Sequence, residues 1–172
     1  MHNDSATSRG SAGTNHRNGL IFGGYARLLR LRSKLMESFR MAYWLMKSEP
    51  GSYSWDDLVR DGGTDWDGVR NNAARLHLRA MKPGDEAFFY HSMADKAVVG
   101  IMRITGPGQP DGEDGSWVKV SVEPVRPLSR PVTLAEIKAE PKLAKMELIR
   151  QSRLSVAPVR EEEWDVILGM AD

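Results

Sequence analysis

Polar side chains that could recognise a flat heteroaromatic ligand recur where the expected strands end. They occur as the pairs Lys47-Ser48, Arg70-Asn71 and His91-Ser92 and in the segment 150–155. Trp66 lies in a polar stretch shortly before the second pair. An aromatic plate flanked by amide, hydroxyl and guanidinium donors can stack on a ring and bind its edge, as proteins do with flipped nucleobases. These residues therefore predict a pocket for a planar base.

The usual catalytic motifs are missing from the sequence. It has no nucleophile elbow, phosphate-binding loop, dinucleotide fingerprint or H-E-x-x-H zinc motif. It has no Cys, which excludes thiolate metal sites and Cys nucleophiles, and its four His are scattered. His91 and Ser92 are neighbours that would point to opposite faces of a strand, so they make a poor base and nucleophile. We therefore expect no catalytic residues, no metal and no cofactor.

Two other interpretations of these residues stay open. Trp66, Tyr53 and Trp55 could simply fasten a loop onto the domain core. The acidic pairs Asp56-Asp57 and Asp65/Asp67 could act as acid–base carboxylates, although helix capping and turn formation explain them better. Both interpretations depend on where the chain places these side chains.

The charge distribution separates an N-terminal extension from the rest of the chain. Residues 1–40 contain seven Lys or Arg and two acidic residues, a net charge of +5. Residues 1–19 are almost devoid of apolar side chains, which is typical of disorder, and 20–36 could form a short basic amphipathic helix. Residues 41–172 contain 17 basic and 21 acidic residues, a net charge of −4. Such a domain can bind nucleic acid only through a local pocket or patch.

A chain of 172 residues and 19.2 kDa suits one domain with an appendage. We assign 1–41 to a dispensable basic extension and 42–172 to the domain. The alternatives for the extension are a mis-called translation start, a transit peptide or a membrane-surface segment. No apolar run approaches the roughly 20 residues of a membrane helix. The absence of Cys fits a reducing compartment. We therefore predict a cytoplasmic protein with no membrane partner.

Residue patterns within 42–172 predict a mixture of strands and helices. Strands are expected at 43–46, 86–91, 97–105 and 117–122, and the Gly- and Pro-rich segment 106–115 is expected to be a loop. Helices are expected at 54–60, 69–81, 133–140 and 160–170, with capping boxes beginning at Ser54 and Thr133. This order favours an α+β domain with an antiparallel or mixed sheet curled into a small barrel and flanked by helices.

The helix at 69–81 carries the most basic surface of the domain. A 3.6-residue period counted from Val69 assigns Ala73, Leu76 and Ala80 to the core. The opposite face then holds the basic residues Arg75, Arg79 and Lys82. A solvated face is the simpler interpretation of this stripe, and a track for phosphates is the alternative.

Four motifs in this chain resemble those of the EVE domain family, which has many small bacterial members. They are YWLMKSEP at 43–50, WDGVRN at 66–71, FYHS at 89–92 and QSRLSV at 151–156, in that order within 42–172. The resemblance implies a PUA-like barrel related to YTH and ASCH domains. It also implies a non-catalytic reader of modified nucleobases in DNA or RNA.

Site residues follow from this resemblance. It makes Trp66 the wall of an aromatic cage and makes Lys47, Ser48 and Asn71 contacts to the base edge. The remaining residues expected to border the same cavity are Tyr90, His91, Ser92, Arg153, Leu154 and Ser155. For the nucleic-acid backbone we expect contacts from the surrounding basic residues Arg70, Arg75, Arg79, Lys82 and Arg150.

The chain departs from the family pattern after the second motif, where it has Asn72, Ala73 and Leu76-His77. We expect Ala73 and Leu76 to repack the helix and Asn72 to alter base or phosphate contacts. The expected ligand is a methylated or hydroxymethylated cytosine or a methylated adenine in DNA or RNA, bound by a monomer. The alternatives are an ASCH-like hydrolase or nuclease using Lys47, His91 or Asp67, and a protein-interaction module.

Overall fold

The computed structural model describes residues 27–33, 35–36, 40–93 and 95–172. The chain divides into two compact units, 1–40 and 41–172. In the first unit, residues 27–33 and 35–36 are helical. The disorder expected at 1–19, and residues 20–26 and 34 of the amphipathic helix expected at 20–36, lie outside the described residues. All elements named below belong to the second unit.

Seven strands and five α-helices form the second unit. The strands are β1 (Tyr43–Ser48), β2 (Thr64–Trp66), β3 (Glu86–His91), β4 (Ala97–Ile104), β5 (Gln109–Asp111), β6 (Trp117–Thr133) and β7 (Val156–Val159). The helices are α1 (Trp55–Asp61), α2 (Asn72–Ala80), α3 (Leu134–Ala139), α4 (Glu147–Arg150) and α5 (Glu161–Ala171), with a 3₁₀ turn at Pro141–Leu143.

The strands form one curled, mixed sheet in the order β2-β6-β4-β3-β1-β7, and β5 pairs with β6 outside this path. Strands β1 and β3 run parallel, whereas every other pair is antiparallel. The α+β class and the curled mixed sheet predicted from the sequence are confirmed.

Alternate residues of β1 supply two hydrophobic cores on opposite faces of the sheet. Trp44 and Met46 join the core that also contains Trp66 and Phe89. Leu45 joins the other core, where Trp164 of α5 stacks on Phe88 at 3.8 Å and on Tyr43 at 4.4 Å. Because both faces of the central strands are covered, a one-residue shift in register would exchange the two cores.

A buried carboxylate ties the start of β1 to the turn before β3. Asp85 is 3% exposed, and its side chain accepts hydrogen bonds from the Trp44 indole N–H at 3.0 Å and the Ala42 backbone N–H at 3.1 Å. The Lys82 backbone N–H donates to the same carboxylate at 3.0 Å. Three donors compensate the desolvation of the charge and hold the register of the parallel pair.

Strand β6 continues eleven residues beyond the predicted end at 122 and spans 17 residues. Two of its prolines, Pro124 and Pro127, lie opposite Met102 and Gly100, at the register shifts in its pairing with β4. Proline is tolerated there because the ladder of backbone hydrogen bonds is already interrupted. The segment expected to be only a loop contains the short strand β5.

Both predicted capping boxes are confirmed, with Ser54 and Asp57 at α1 and Thr133 and Glu136 at α3. The predicted core face of α2 is wrong. Asn71 caps this helix, so Val69 precedes it and the helical period cannot be counted from Val69. Ala74 and Leu78 are the buried residues, whereas Ala73, Leu76 and Ala80 are exposed.

Gly100 of β4 leaves room for the indole of Trp55, so we predict that Gly100→Ala destabilises the domain. An added Cβ would lie 2.6 Å from two carbons of the Trp55 ring. The overpacking should lower the free energy of unfolding by about 1–3 kcal/mol, measured by urea denaturation.

Gly169→Ala in α5 is the matched control, because nothing lies within 4 Å of an added Cβ there. It should raise the free energy of unfolding by up to about 1 kcal/mol through helix propensity. Equal effects of the two substitutions would contradict this account of Trp55 packing.

Candidate functional site

A cavity of about 400 Å³ opens where β1 ends. Its walls are residues 47–49, 52–53 and 64–70 together with Ser155, and we call it the Trp66 cavity. Three segments thus surround the cavity: the chain that leaves β1, the strand β2 with the turn after it, and the residue that precedes β7. The volume lies within the range of small-ligand pockets.

Trp66 ends β2 and forms part of the cavity wall, but most of its ring belongs to the core. It is 9% exposed and packs edge-to-face against Phe89, with ring centroids 5.5 Å apart. The chain turns away after it at Gly68, whose φ of 71° favours glycine. Trp66 is therefore both a core residue, through most of its ring, and part of the cavity wall.

Lys47 reaches from β1 across the cavity to the segment after α4. Its ammonium donates to the backbone oxygen of Ser152 at 2.7 Å and lies 5.9 Å from the centre of the Tyr90 ring. Its backbone N–H donates to the Ser155 oxygen at 2.9 Å. Burial lowers the pKa of Lys47. Two ammonium protons remain available beside the cavity.

Ser48 joins three segments through its hydrogen bonds. Its hydroxyl donates to the Tyr53 backbone oxygen at 2.5 Å. Its backbone oxygen accepts from the N–H of Ser92 at 2.8 Å and from the Ser92 hydroxyl at 3.1 Å. The Ser48 hydroxyl proton is therefore used inside the protein, and only its oxygen lone pairs can serve a ligand.

A second, shallower cavity of about 370 Å³ is lined by Asn71, Ala73 and residues 150–154. Asn71 caps α2 by accepting the Ala74 backbone N–H at 2.9 Å. Arg150 is 3.6 Å from Glu147, and Arg153 forms no ion pair or hydrogen bond with another described residue. We call this cavity the arginine groove. The bond from Lys47 to Ser152 lies between it and the Trp66 cavity.

Arg70 and Arg75, which we expected to contact phosphates, make contacts with other residues of the same domain. Both guanidinium groups lie against Trp117, at 5.6 and 5.2 Å from its ring centre. Arg70 also pairs with Asp111 at 2.7 Å and holds the pKa of that carboxyl below its usual value, while Arg75 donates to the Ser116 backbone oxygen at 3.0 Å. Both side chains fasten the β5–β6 hairpin.

Several of the predicted residues do not line the Trp66 cavity. Arg79 is the penultimate residue of α2 and Lys82 follows that helix; neither lines this cavity or the arginine groove. Tyr90 is 3% exposed beneath Lys47, and burial raises its pKa to about 12. Ser92 bonds to Ser48.

His91 lies on the other side of α1. Its Nε2 accepts the Trp55 backbone N–H at 3.1 Å, and its ring packs edge-to-face on Phe89 at 5.5 Å. It lines a cavity of about 930 Å³ formed mostly by apolar residues of β4, β6 and α3. His91 therefore supports the start of α1. Trp55 is 8% exposed and fastens α1 to the sheet, whereas the sequence interpretation had it fasten a loop.

The structure thus divides the predicted base-binding set. Lys47, Ser48, Trp66 and Ser155 line the Trp66 cavity, joined by Arg70 from the phosphate set. Asn71, Arg153 and Leu154 line the arginine groove with Arg150. Sequence reasoning named Asp67 only as a catalytic alternative and did not name Glu49, although both carboxylates line this cavity.

The part of the chain that the structure describes contains no group of three metal-ligating side chains. In that part, no helix combines the length and apolar character needed to cross a bilayer.

A curled mixed sheet flanked by helices, with a polar cavity beside Trp66 at the end of β1, defines a small α+β domain with a candidate ligand-binding site. The family model for the EVE domain matches residues 42–170. The chain belongs to the EVE domain family, as the four motifs predicted.

Relatives with this domain occur in bacteria and animals. A Rhodopseudomonas palustris protein of known structure is 50% identical, with 76% of this chain and 93% of that chain covered and a TM-score of 0.73. Mouse thymocyte nuclear protein 1 is 37% identical over 166 residues, 76% of this chain and 74% of the relative. Human THYN1, solved in complex with DNA containing 5-methylcytosine, is 36% identical with a TM-score of 0.72, covering 76% of this chain and 98% of that one.

The bond between His91 and Trp55 makes the stability of the domain depend on pH. The His91 imidazole must be neutral, with Nε2 unprotonated, to accept the Trp55 N–H. Burial lowers the pKa of His91 below the usual value near 6.5. As the pH falls from about 7 to about 5, the unfolded chain binds this proton first, so the free energy of unfolding decreases. We predict a smaller decrease in His91→Gln, measured by urea denaturation at several pH values.

Glutamine keeps a hydrogen-bond acceptor at position 91 and does not titrate in this range. The pH dependence of stability that remains in His91→Gln should come partly from His77, because burial lowers the pKa of that side chain as well. An unchanged pH dependence in His91→Gln would contradict the assigned role of His91.

Proposed function

We propose that this EVE domain binds DNA by accommodating one modified base, a methylated or hydroxymethylated cytosine or a methylated adenine, in the Trp66 cavity without altering it. The observation that carries the proposal is the cavity itself, which combines an aromatic wall with the ammonium of Lys47 and the polar residues of β1 and the β2 turn. The human relative solved with 5-methylcytosine DNA supports the same ligand class for this chain.

The charge of the domain favours base recognition over a general attraction to DNA. Residues 41–172 carry a net charge of −4, so most affinity must come from local contacts. A stacked base contributes roughly 1–3 kcal/mol, and removing it from a duplex costs a few kcal/mol. We therefore expect modest affinity, with single-stranded or easily unpaired sites preferred over stable duplexes.

The arginine groove is the proposed path of the adjoining backbone. The hydrogen bond between Lys47 and Ser152 joins its wall to that of the Trp66 cavity, and the groove presents Arg150 and the unpaired Arg153. Arg70 and Arg75 are less suitable, because their contacts with Asp111 and Ser116 already hold their guanidinium groups against the β5–β6 hairpin, and Asp111 partly neutralises Arg70. Phosphate contacts should thus be few, and the dependence on salt shallow.

The direct test is a titration of the full chain at fixed salt with oligonucleotides that differ at one position. Cytosine, 5-methylcytosine, 5-hydroxymethylcytosine, adenine and 6-methyladenine are compared in single and double strands of DNA and RNA. A preference of about tenfold for one modified base over its parent, equivalent to about 1.4 kcal/mol, would support the proposal. Equal, weak binding to every strand would refute it and would favour a protein partner.

Lys47→Met is the variant that tests the cavity without emptying the core. It removes the ammonium and keeps most of the side-chain volume, so we expect at least a tenfold loss of affinity for the preferred base, since a contact to a charged group is lost. Trp66→Ala is a less informative variant, because loss of a ring that is 9% exposed should cost about 3–5 kcal/mol of folding stability.

Lys142→Met in the exposed 3₁₀ turn is the matched control and should bind like the wild type. Circular dichroism checks that both variants are folded. If both bind like the wild type, Lys47 has no part in the site.

Arg153 provides a separate test of the backbone path. Arg153→Ala should weaken binding to all oligonucleotides alike and reduce the slope of log K against log salt by about one unit, leaving base preference unchanged. Arg126→Ala, on the exposed part of β6, should leave the slope unaltered. A changed base preference in Arg153→Ala would contradict a pure phosphate contact.

The alternative of a hydrolase or nuclease predicts that the ligand is consumed. Mass spectrometry of the oligonucleotide after prolonged incubation distinguishes the two functions, because a reader returns its ligand intact. Accumulation of a cleaved or dealkylated product would overturn the proposal of a non-catalytic reader.

A further inference from the structure

The polar groups of the Trp66 cavity are unequally available to a ligand. The Ser48 hydroxyl donates within the protein, and the Arg70 guanidinium is paired with Asp111. Asp65 binds Lys119 and the Ser121 hydroxyl, both at 2.7 Å. Among these side chains, the Lys47 ammonium keeps two unused donors, and Arg70 keeps the N–H groups beyond the Nη1 that binds Asp111.

Two carboxylates in the cavity wall have their acceptor capacity free. The side chains of Glu49 and Asp67 are exposed, and neither forms a hydrogen bond or a close ion pair with another described residue. Lys119 experiences the charge of Asp67 without contacting it, because Asp65 holds that ammonium. The cavity wall thus contains both free carboxylate acceptors and the Lys47 donors.

A bound base must complement this arrangement along its edge. Cytosine presents an exocyclic amino donor next to ring acceptors, so its amino group can meet a carboxylate while its acceptors meet Lys47. Thymine and uracil present a carbonyl oxygen where cytosine has its amino group, and that oxygen would face a carboxylate. An unpaired acceptor beside a carboxylate is unfavourable because neither group supplies a proton.

We propose that the carboxylates of Asp67 and Glu49 make this cavity selective for bases that carry an exocyclic amino group, and that they reject the corresponding keto bases. This selectivity rests on the proposed function and assigns its specificity to two residues. The cavity would therefore distinguish 5-methylcytosine from thymine, its deamination product, although the two share the same ring methyl group.

The test compares three single-stranded DNA oligonucleotides that carry cytosine, 5-methylcytosine or thymine at one position. Single strands are used because a thymine opposite guanine would be unpaired more easily and would bias the comparison. For the full wild-type chain, 5-methylcytosine should bind at least about tenfold more tightly than thymine. Equal binding of these two strands would overturn the proposed selectivity.

Asp67→Asn and Glu49→Gln, singly and combined, preserve shape and replace a pure acceptor with a group that also donates. At least one of them should raise affinity for thymine and reduce the preference for 5-methylcytosine to less than about threefold. Asp165→Asn, an exposed carboxylate on α5, is the matched control and should keep the wild-type preference. An unchanged preference in the double variant would overturn the assignment to these residues.

The failure of this proposal differs from the failure of the proposed function. If 5-methylcytosine is preferred over cytosine but not over thymine, the protein reads the methyl group and the amino-group selectivity is wrong. If no modified base is preferred over its parent, the proposed function fails and the selectivity that rests on it fails as well.

Discussion

The parallel pairing of β1 with β3 is the constraint on which the rest of the domain depends. It places two covered strands side by side in the sheet, and their alternate residues supply separate cores on the two faces. Asp85 holds this pair at its start through three hydrogen bonds to indole and backbone donors. Without that register, neither Trp44 nor Leu45 would lie in its own core.

The same pairing builds the candidate site at the opposite end of β1. Lys47 and Ser48 lie beside Tyr90 and His91 in register, and Ser155 and Ser92 bond to the β1 backbone. The cavity therefore forms where strand pairing stops and three chain segments diverge, with Trp66 anchored by Phe89 from the shared core. The candidate site residues Lys47 and Ser48 are held by the backbone hydrogen bonds of β1, which limits their conformational freedom before a ligand binds.

The allocation of charge explains how a net acidic domain could bind a polyanion. Arg70 and Arg75 stabilise the β5–β6 hairpin against Trp117, which leaves Arg150 and Arg153 in a separate groove. The free carboxylates at the Trp66 cavity disfavour a phosphate there and favour a neutral ring with donor groups. In the proposed function, one small surface would thus bind a base in the Trp66 cavity and the nucleic-acid backbone in the arginine groove.

Patterns among neighbouring residues were sufficient to predict the capping boxes at Ser54 and Thr133, strands β1, β3 and β4, the first part of β6, the mixed α+β class and, through four motifs, the family. They did not predict β2, β5 or β7. Tertiary structure decided the rest, because burial and hydrogen-bond occupancy arise between segments distant in the chain. The buried face of α2 depended on Asn71 as its cap. His91 is placed by its contact with Trp55, and Arg70 is engaged by Asp111. The Lys119 ammonium pairs with Asp65 and not with Asp67, and no local pattern encodes these contacts.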